Sequence, residues 1–90
     1  MKNAVFWDIG VNGPCAPKTP LSPMPEIPRG GLLVIGGRGP IWRYGLAFHV
    51  AHGSAASAVA IYDPRLGAVV VATHSTLYAE GQILNIKWPY

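Results

Sequence analysis

The sequence predicts an α/β fold: a small Rossmann-like β-α-β core with an appended antiparallel hairpin and a further strand, as a single domain over residues 1–90. Two observations lead there. Short apolar runs, Leu32 to Ile35 and Ala58 to Tyr62, flank a stretch of helical length that opens on Pro40 and closes on Gly53-Ser54. A strand, a crossover helix and a second strand make the two strands parallel and the crossover right-handed. The segment Asp63-Pro64-Arg65-Leu66-Gly67 then has the residues of a tight turn and sends the chain back as a hairpin.

The elements follow in order. Asn3 to Ile9 alternate as a strand, with Val5, Trp7 and Ile9 on one face and Ala4, Phe6 and Asp8 on the other. The connector over residues 14–28 holds six prolines, each fixing φ and removing a donor, so it is an extended strap. Read as a ligand for a proline-binding module it would have to stand free, whereas it links two strands of one small domain. Leu32 to Ile35 form a buried strand ending in Gly36-Gly37-Arg38-Gly39. Pro40 suits the first helical turn, where its missing N–H costs nothing, and the helix runs from Ile41 to His52 with Ile41, Gly45 and Phe48 along one stripe. Ala68 to Thr73 return as the hairpin partner of the Ala58 strand. Ile83 to Trp88 alternate, Leu84, Ile86 and Trp88 against Ile83, Asn85 and Lys87, as a last strand.

Composition narrows the function classes. Half the residues are hydrophobic and 12% are charged, more apolar surface than a lone subunit of this size covers, so a homodimer or higher homo-oligomer is expected. The net charge of +3 comes without a Lys/Arg run, which suits a small anionic ligand and not duplex DNA. No run reaches the ~20 apolar residues that span a bilayer, and the N-terminus lacks a signal-peptide core; a soluble, cytoplasmic protein with no membrane partner is expected. The single cysteine, Cys15, allows no intrachain disulfide and has no activating base near it in sequence.

The chemistry-bearing residues fall in two groups. Glycines around Arg38, at the mouth of a helix, let backbone approach a phosphate, and the helix N-terminus and a guanidinium favour an anion there. The same glycines also serve an ordinary strand-to-helix turn. Asp63 and Arg65 end the second parallel strand, at the pole of the sheet where Gly37 and Arg38 lie. Asp63 is an ordinary turn residue, but between two arginines it stays ionised and is able to bind a metal or orient a nucleophile. His49 and His52 are three apart near the helix C-terminus, and His74 closes the hairpin strand. Strand rise separates His74 from Asp63 by roughly 15–20 Å. His52 and His74 therefore share the pole opposite Asp63 and Arg65, and a site using all four must be shared between subunits.

At these residues the chain resembles a known family. GGRGPIW, the His49/His52 pair and AIYDPRLGAVVVATHS are similar, over about Gly30 to Asn85, to the third class of ring nucleases of type III CRISPR systems, the Csx-three family. The resemblance implies a metal-dependent phosphodiesterase, with Mn²⁺ as cofactor. It would degrade cyclic oligoadenylate, chiefly cyclic tetra-adenylate, sandwiched between subunits, to switch off antiviral signalling. Carried over by motif, the catalytic residues would be His52, Asp63, Arg65 and His74, with Asp63 toward the metal and His49 as the alternative to His52. The ligand would be gripped by Gly36, Gly37, Arg38, Gly39, Trp42 and His49. Two other readings use the same residues: a non-catalytic sensor of the cyclic RNA, and a deadenylating exonuclease. The N-terminal third matches the family poorly, and GSAASAV before the AIYD strand is about two residues longer than the family pattern suggests.

Overall fold

The computed structural model describes residues 4–89. In chain order it has β1 (Ala4–Asp8), β2 (Leu32–Gly36), α1 (Ile41–His52), β3 (Ala58–Asp63), β4 (Gly67–Thr73) and β5 (Ile83–Leu84). The five strands form one mixed sheet in sequence order. β1, β2 and β3 are parallel, and β4 and β5 are added antiparallel. The expected strand start at Asn3 lies outside the described residues.

Alternation in β1 divides the sheet into its two faces. Val5, Trp7 and Ile9 join Leu33, Ile35, Val59 and Ile61 on the face covered by α1. Ala4 and Phe6 join Leu32, Val34, Ala58, Ala60 and Val70 on the other. β2 is buried along its whole length because it is central and covered on both sides. A bulge between Val59 and Ala60 shifts the register with β4; Val71 falls at this shift and packs on the α1 face.

α1 covers its face with Arg43, Ala47 and Ala51, flanked by Tyr44 and Phe48. Of the stripe expected from the sequence, Ile41, Gly45 and Phe48, Phe48 packs against the core while Gly45 is exposed and Ile41 is 88% exposed. Small residues win the buried row because they let the helix lie close to the sheet, and they carry little hydropathy signal.

Two parallel neighbours need a crossover, and between β1 and β2 the proline strap supplies it. A Rossmann sheet would place a second helix there. The strap packs Leu21, Met24 and Ile27 against the α1-side core. The Trp7 indole N–H lies 3.2 Å from the Ser22 carbonyl and 3.0 Å from its hydroxyl, and that hydroxyl donates to the Asp8 carbonyl at 2.7 Å. Arg43, 2% exposed, reaches out of α1 to the carbonyls of Ile9 (2.6 Å), Thr19 (3.1 Å) and Pro20 (3.0 Å). Its five donors suit this work, since a strap of prolines offers carbonyls and few N–H groups.

The C-terminal segment covers the second face. The strand expected over Ile83 to Trp88 pairs only at Ile83 and Leu84. The Ile86 N–H then donates to the Leu84 carbonyl at 2.8 Å, which turns the chain off the ladder. Ile86 and Trp88 lie on the sheet face beside Phe6 and Tyr62, so the alternation is kept although the strand is not. Trp88 sits directly over Gly36: a Cβ there would come within 2.5 Å of its ring.

Candidate functional site

The carboxyl ends of the three parallel strands build one pole. Asp8 ends β1, Gly36 ends β2 and Asp63 ends β3. The chain after β1 folds against the glycine turn, with Ile9 donating to the Gly36 carbonyl at 2.9 Å and Val11 to the Arg38 carbonyl at 2.8 Å. Gly37 has φ +109°, and a Cβ there would lie 2.2 Å from the Asp8 carboxylate. Gly10 is equally confined, 2.8 Å from the Arg38 nitrogen on the same test. These glycines let two loops meet, so their first role is internal packing.

A cavity of about 590 Å³ opens beside this junction, lined among others by Asp8, Asn12, Gly37, Arg38, Tyr62 and Trp88. An adjoining cleft of about 470 Å³ shares Tyr62, Pro64 and Trp88 with it and adds Arg65 and Lys87. Arg38 and Arg65 thus face neighbouring hollows divided by a tyrosine–tryptophan wall, whose rings are 5.5 Å apart. Among the described residues neither Trp42 nor His49 lines either hollow. Both sit on exposed positions of α1, and Ile41 of its first turn does not line either hollow.

Asp63 holds the β3–β4 turn. One carboxylate oxygen accepts from the amides of Arg65 (2.7 Å) and Leu66 (3.2 Å), and the other lies 3.5 Å from the Arg65 guanidinium. The Arg65 amide is the largest cause holding its acidity below the usual carboxylate range; desolvation opposes this, and the Arg65 guanidinium and the Leu66 amide reinforce it. Arg38, expected to flank Asp63, is no part of this arrangement.

The opposite pole holds the histidines. His74 donates its backbone N–H to the Ser57 carbonyl at 2.8 Å, just before β3 begins. Its ring lies 5.9 Å from that of His52, centroid to centroid, with a 36° tilt. The Phe48 ring also lies beside His52, at 5.5 Å between centroids with a 33° tilt. Of the two helix histidines, His52 is therefore the one that meets His74. The sheet separates this pair from Asp63 and Arg65.

Among the described residues no three His, Cys, Asp or Glu side chains gather to hold a metal ion. Both Asp63 oxygens are engaged by the turn and by Arg65. Among the described residues the donors of one chain alone therefore do not fit the Mn²⁺ centre that the resemblance implies.

A family model for CRISPR-associated protein (Cas_csx3) matches residues 10–85. The chain belongs to this CRISPR-associated family. An uncharacterized protein of Aquifex aeolicus (strain VF5) is 46% identical over 57 residues, covering 62% of this chain and 48% of that protein. The chain thus spans about half the length of that relative. The Cas_csx3 match takes in the glycine turn, the arginines of both hollows and the histidine pair, but not the wall residues Asp8 and Trp88.

Those two, with Tyr62, are the site residues that sequence reasoning passed over. Asp8 carries the same signal as Asp63, since both end parallel strands at the pole where such sheets bind ligands. Trp88 shares the inward phase of Leu84 and Ile86. Among the described residues no helix is long and apolar enough to cross a membrane.

Proposed function

We propose that the protein is a ring nuclease that cleaves cyclic oligoadenylate, chiefly cyclic tetra-adenylate, in sites completed between subunits. The observation that carries this reading is the His52–His74 pair, 5.9 Å apart. Two imidazoles at that spacing suit proton transfer to and from one phosphodiester. The ribose 2′-hydroxyl attacks phosphorus and gives its proton to one imidazole. The P–O2′ bond forms, the P–O5′ bond breaks, and O5′ takes a proton from the other imidazole. The product is a linear chain with a 5′-hydroxyl and a 2′,3′-cyclic phosphate. Arg65, 87% exposed at its side chain, is free to reach a ligand held against a second copy and offset charge on the phosphorane. Asp63 positions Arg65 through their ion pair.

Subunit pairing is supported by composition and by the exposed apolar residues of α1: Ile41, Trp42, Leu46 and Val50. The Mn²⁺ requirement stays within the proposal, and its ligands would have to come from two chains. A second reading, a sensor that binds the ring without cutting it, draws support from Asp63, whose two oxygens are already occupied.

Incubation of the protein with cyclic tetra-adenylate and, separately, with linear oligoadenylate, with and without Mn²⁺, followed by chromatography and mass spectrometry, separates the readings. Linear products ending in a cyclic phosphate are expected. An intact ring that co-elutes with the protein would establish the sensor, and trimming of linear oligoadenylate alone would establish an exonuclease.

A further inference from the structure

The proposed cleavage brings an anionic chain to the histidine pole, where one of the two imidazoles must be neutral to take a proton. A fixed positive charge on the same chain would offset the phosphates there. Among the described residues, Arg38, Arg65 and Lys87 line the hollows of the opposite pole. Arg43 is buried against the Ile9 carbonyl, and Lys18 stands in the strap turn that Arg43 holds. The remaining cation is Arg29, exposed at the end of the strap just before β2.

The backbone fixes Arg29 at that pole. Gly31 donates its N–H to the Pro28 carbonyl at 2.8 Å, and Gly30 has φ +77°. Such a turn takes glycine at its third position, which puts Arg29 at the second, on the tip. Ser57, just before β3, fastens this turn from the side. Its hydroxyl lies 3.0 Å from the Gly30 carbonyl and 3.1 Å from the Gly31 carbonyl, and its N–H donates to the Gly31 carbonyl at 3.0 Å. The Ser57 carbonyl in turn accepts the His74 N–H at 2.8 Å. One serine thus ties the Arg29 turn to the strand end that carries His74. Among the described residues the one ion pair is Asp63–Arg65, so no carboxylate there neutralises Arg29.

From this arrangement we infer that Arg29 is a phosphate-binding residue of the histidine pole, and that it takes the phosphate next to the one being cut. Spacing decides between the two phosphates. The Arg29 turn leads into β2 and His74 follows β4, with β3 between them; at ~4.8 Å between strands the two backbones are about 10 Å apart. An arginine rooted there reaches a neighbouring phosphate more directly than one lying between the imidazoles. Its guanidinium fork matches two phosphate oxygens and keeps its charge at any working pH. A contact made equally to the bound ring and to the transition state strengthens binding without speeding the chemistry. This inference deepens the ring-nuclease proposal and rests on it for the nature of the ligand.

The test compares wild type, Arg29→Gln and Arg29→Lys as full chains. Filter binding of cyclic tetra-adenylate at several salt concentrations is measured beside steady-state cleavage of the same ring and thermal melts. Arg29→Gln is expected to melt with wild type, because backbone and Ser57 close the turn. It should bind the ring about tenfold more weakly, with a salt slope lower by roughly 0.7. Its KM should rise by the same factor while kcat is unchanged. Arg29→Lys should keep the wild-type slope. Cleavage by wild type, with affinity and slope unmoved in Arg29→Gln, overturns the contact and leaves the nuclease reading standing. A lower kcat at unchanged KM overturns the assignment to the neighbouring phosphate. A slope that falls equally in Arg29→Lys overturns the role of charge. A ring that is bound but never cut, with the slope lowered in Arg29→Gln alone, overturns the nuclease reading and keeps the contact. A ring neither bound nor cut overturns both.

Discussion

Arg43 and Ile9 are joined by a 2.6 Å hydrogen bond that ties the middle of the fold to its first loop. The guanidinium leaves α1 and meets backbone carbonyls, Ile9 after β1 and Thr19 and Pro20 in the strap. A buried charge is tolerated here because three acceptors share it.

Removing that charge should be costly. Arg43→Met keeps much of the volume but strips three carbonyls of their donor, and should destabilise the protein by about 3 kcal/mol. Urea unfolding checks this. A loss below about 1 kcal/mol would mean that the strap is held by its apolar contacts alone.

Two glycines should respond oppositely to alanine. Gly37, at φ +109° with the Asp8 carboxylate 2.2 Å from the place of a Cβ, should be destabilised by its alanine variant. Gly45, mid-helix with nothing within 4 Å, should gain about 0.5–1 kcal/mol from the same change. Thermal melts of the two variants side by side test the distinction; equal shifts would remove the special role given to Gly37.

Acid should loosen the β3–β4 turn through Asp63. Its folded-state acidity is held below the unfolded value, so its contribution is present above the unfolded value and lost as pH falls through the folded one. Asp63→Asn should therefore melt below wild type at neutral pH and converge with it in strong acid. A gap that stays constant with pH would assign the turn to Pro64 and Gly67.

Ligand affinity should report Arg38 and not the histidines. Arg38→Ala is expected to weaken cyclic tetra-adenylate binding about tenfold and to lower the salt slope by roughly 0.7, the loss of one single-strand phosphate contact. His52→Ala should leave that affinity near wild type while slowing cleavage by roughly 10²–10⁴-fold. Filter binding at several salt concentrations, beside single-turnover cleavage, distinguishes the two. A salt slope unchanged in Arg38→Ala would take that residue out of the phosphate contact.

Much of this architecture was legible in the residues. Alternation across Val5, Phe6 and Trp7 gave the two faces of β1, and Pro40 and Gly53 bracketed α1 as found. Counting residues along β4 placed His74 away from Asp63, and the His52–His74 contact agrees. Hydropathy could not show that α1 buries Ala47, Ala51 and an arginine, because the first two carry little signal and the third a contrary one. Nor could it show that Ile86 and Trp88 keep a strand's phase after leaving the ladder. Asp8 was overlooked because it reads as the polar end of a strand. Only the loop meeting Gly37 makes it a wall of the hollow.

In the proposed site, His52 and His74 of one chain work with Arg65 of another. The most direct measurement is cleavage of cyclic tetra-adenylate by an equal mixture of His74→Ala and Arg65→Ala proteins, with subunit exchange verified. Each alone should be inactive, and the mixture should recover up to about a quarter of wild-type activity, as random head-to-tail assortment allows. No recovery despite exchange would contradict the shared site.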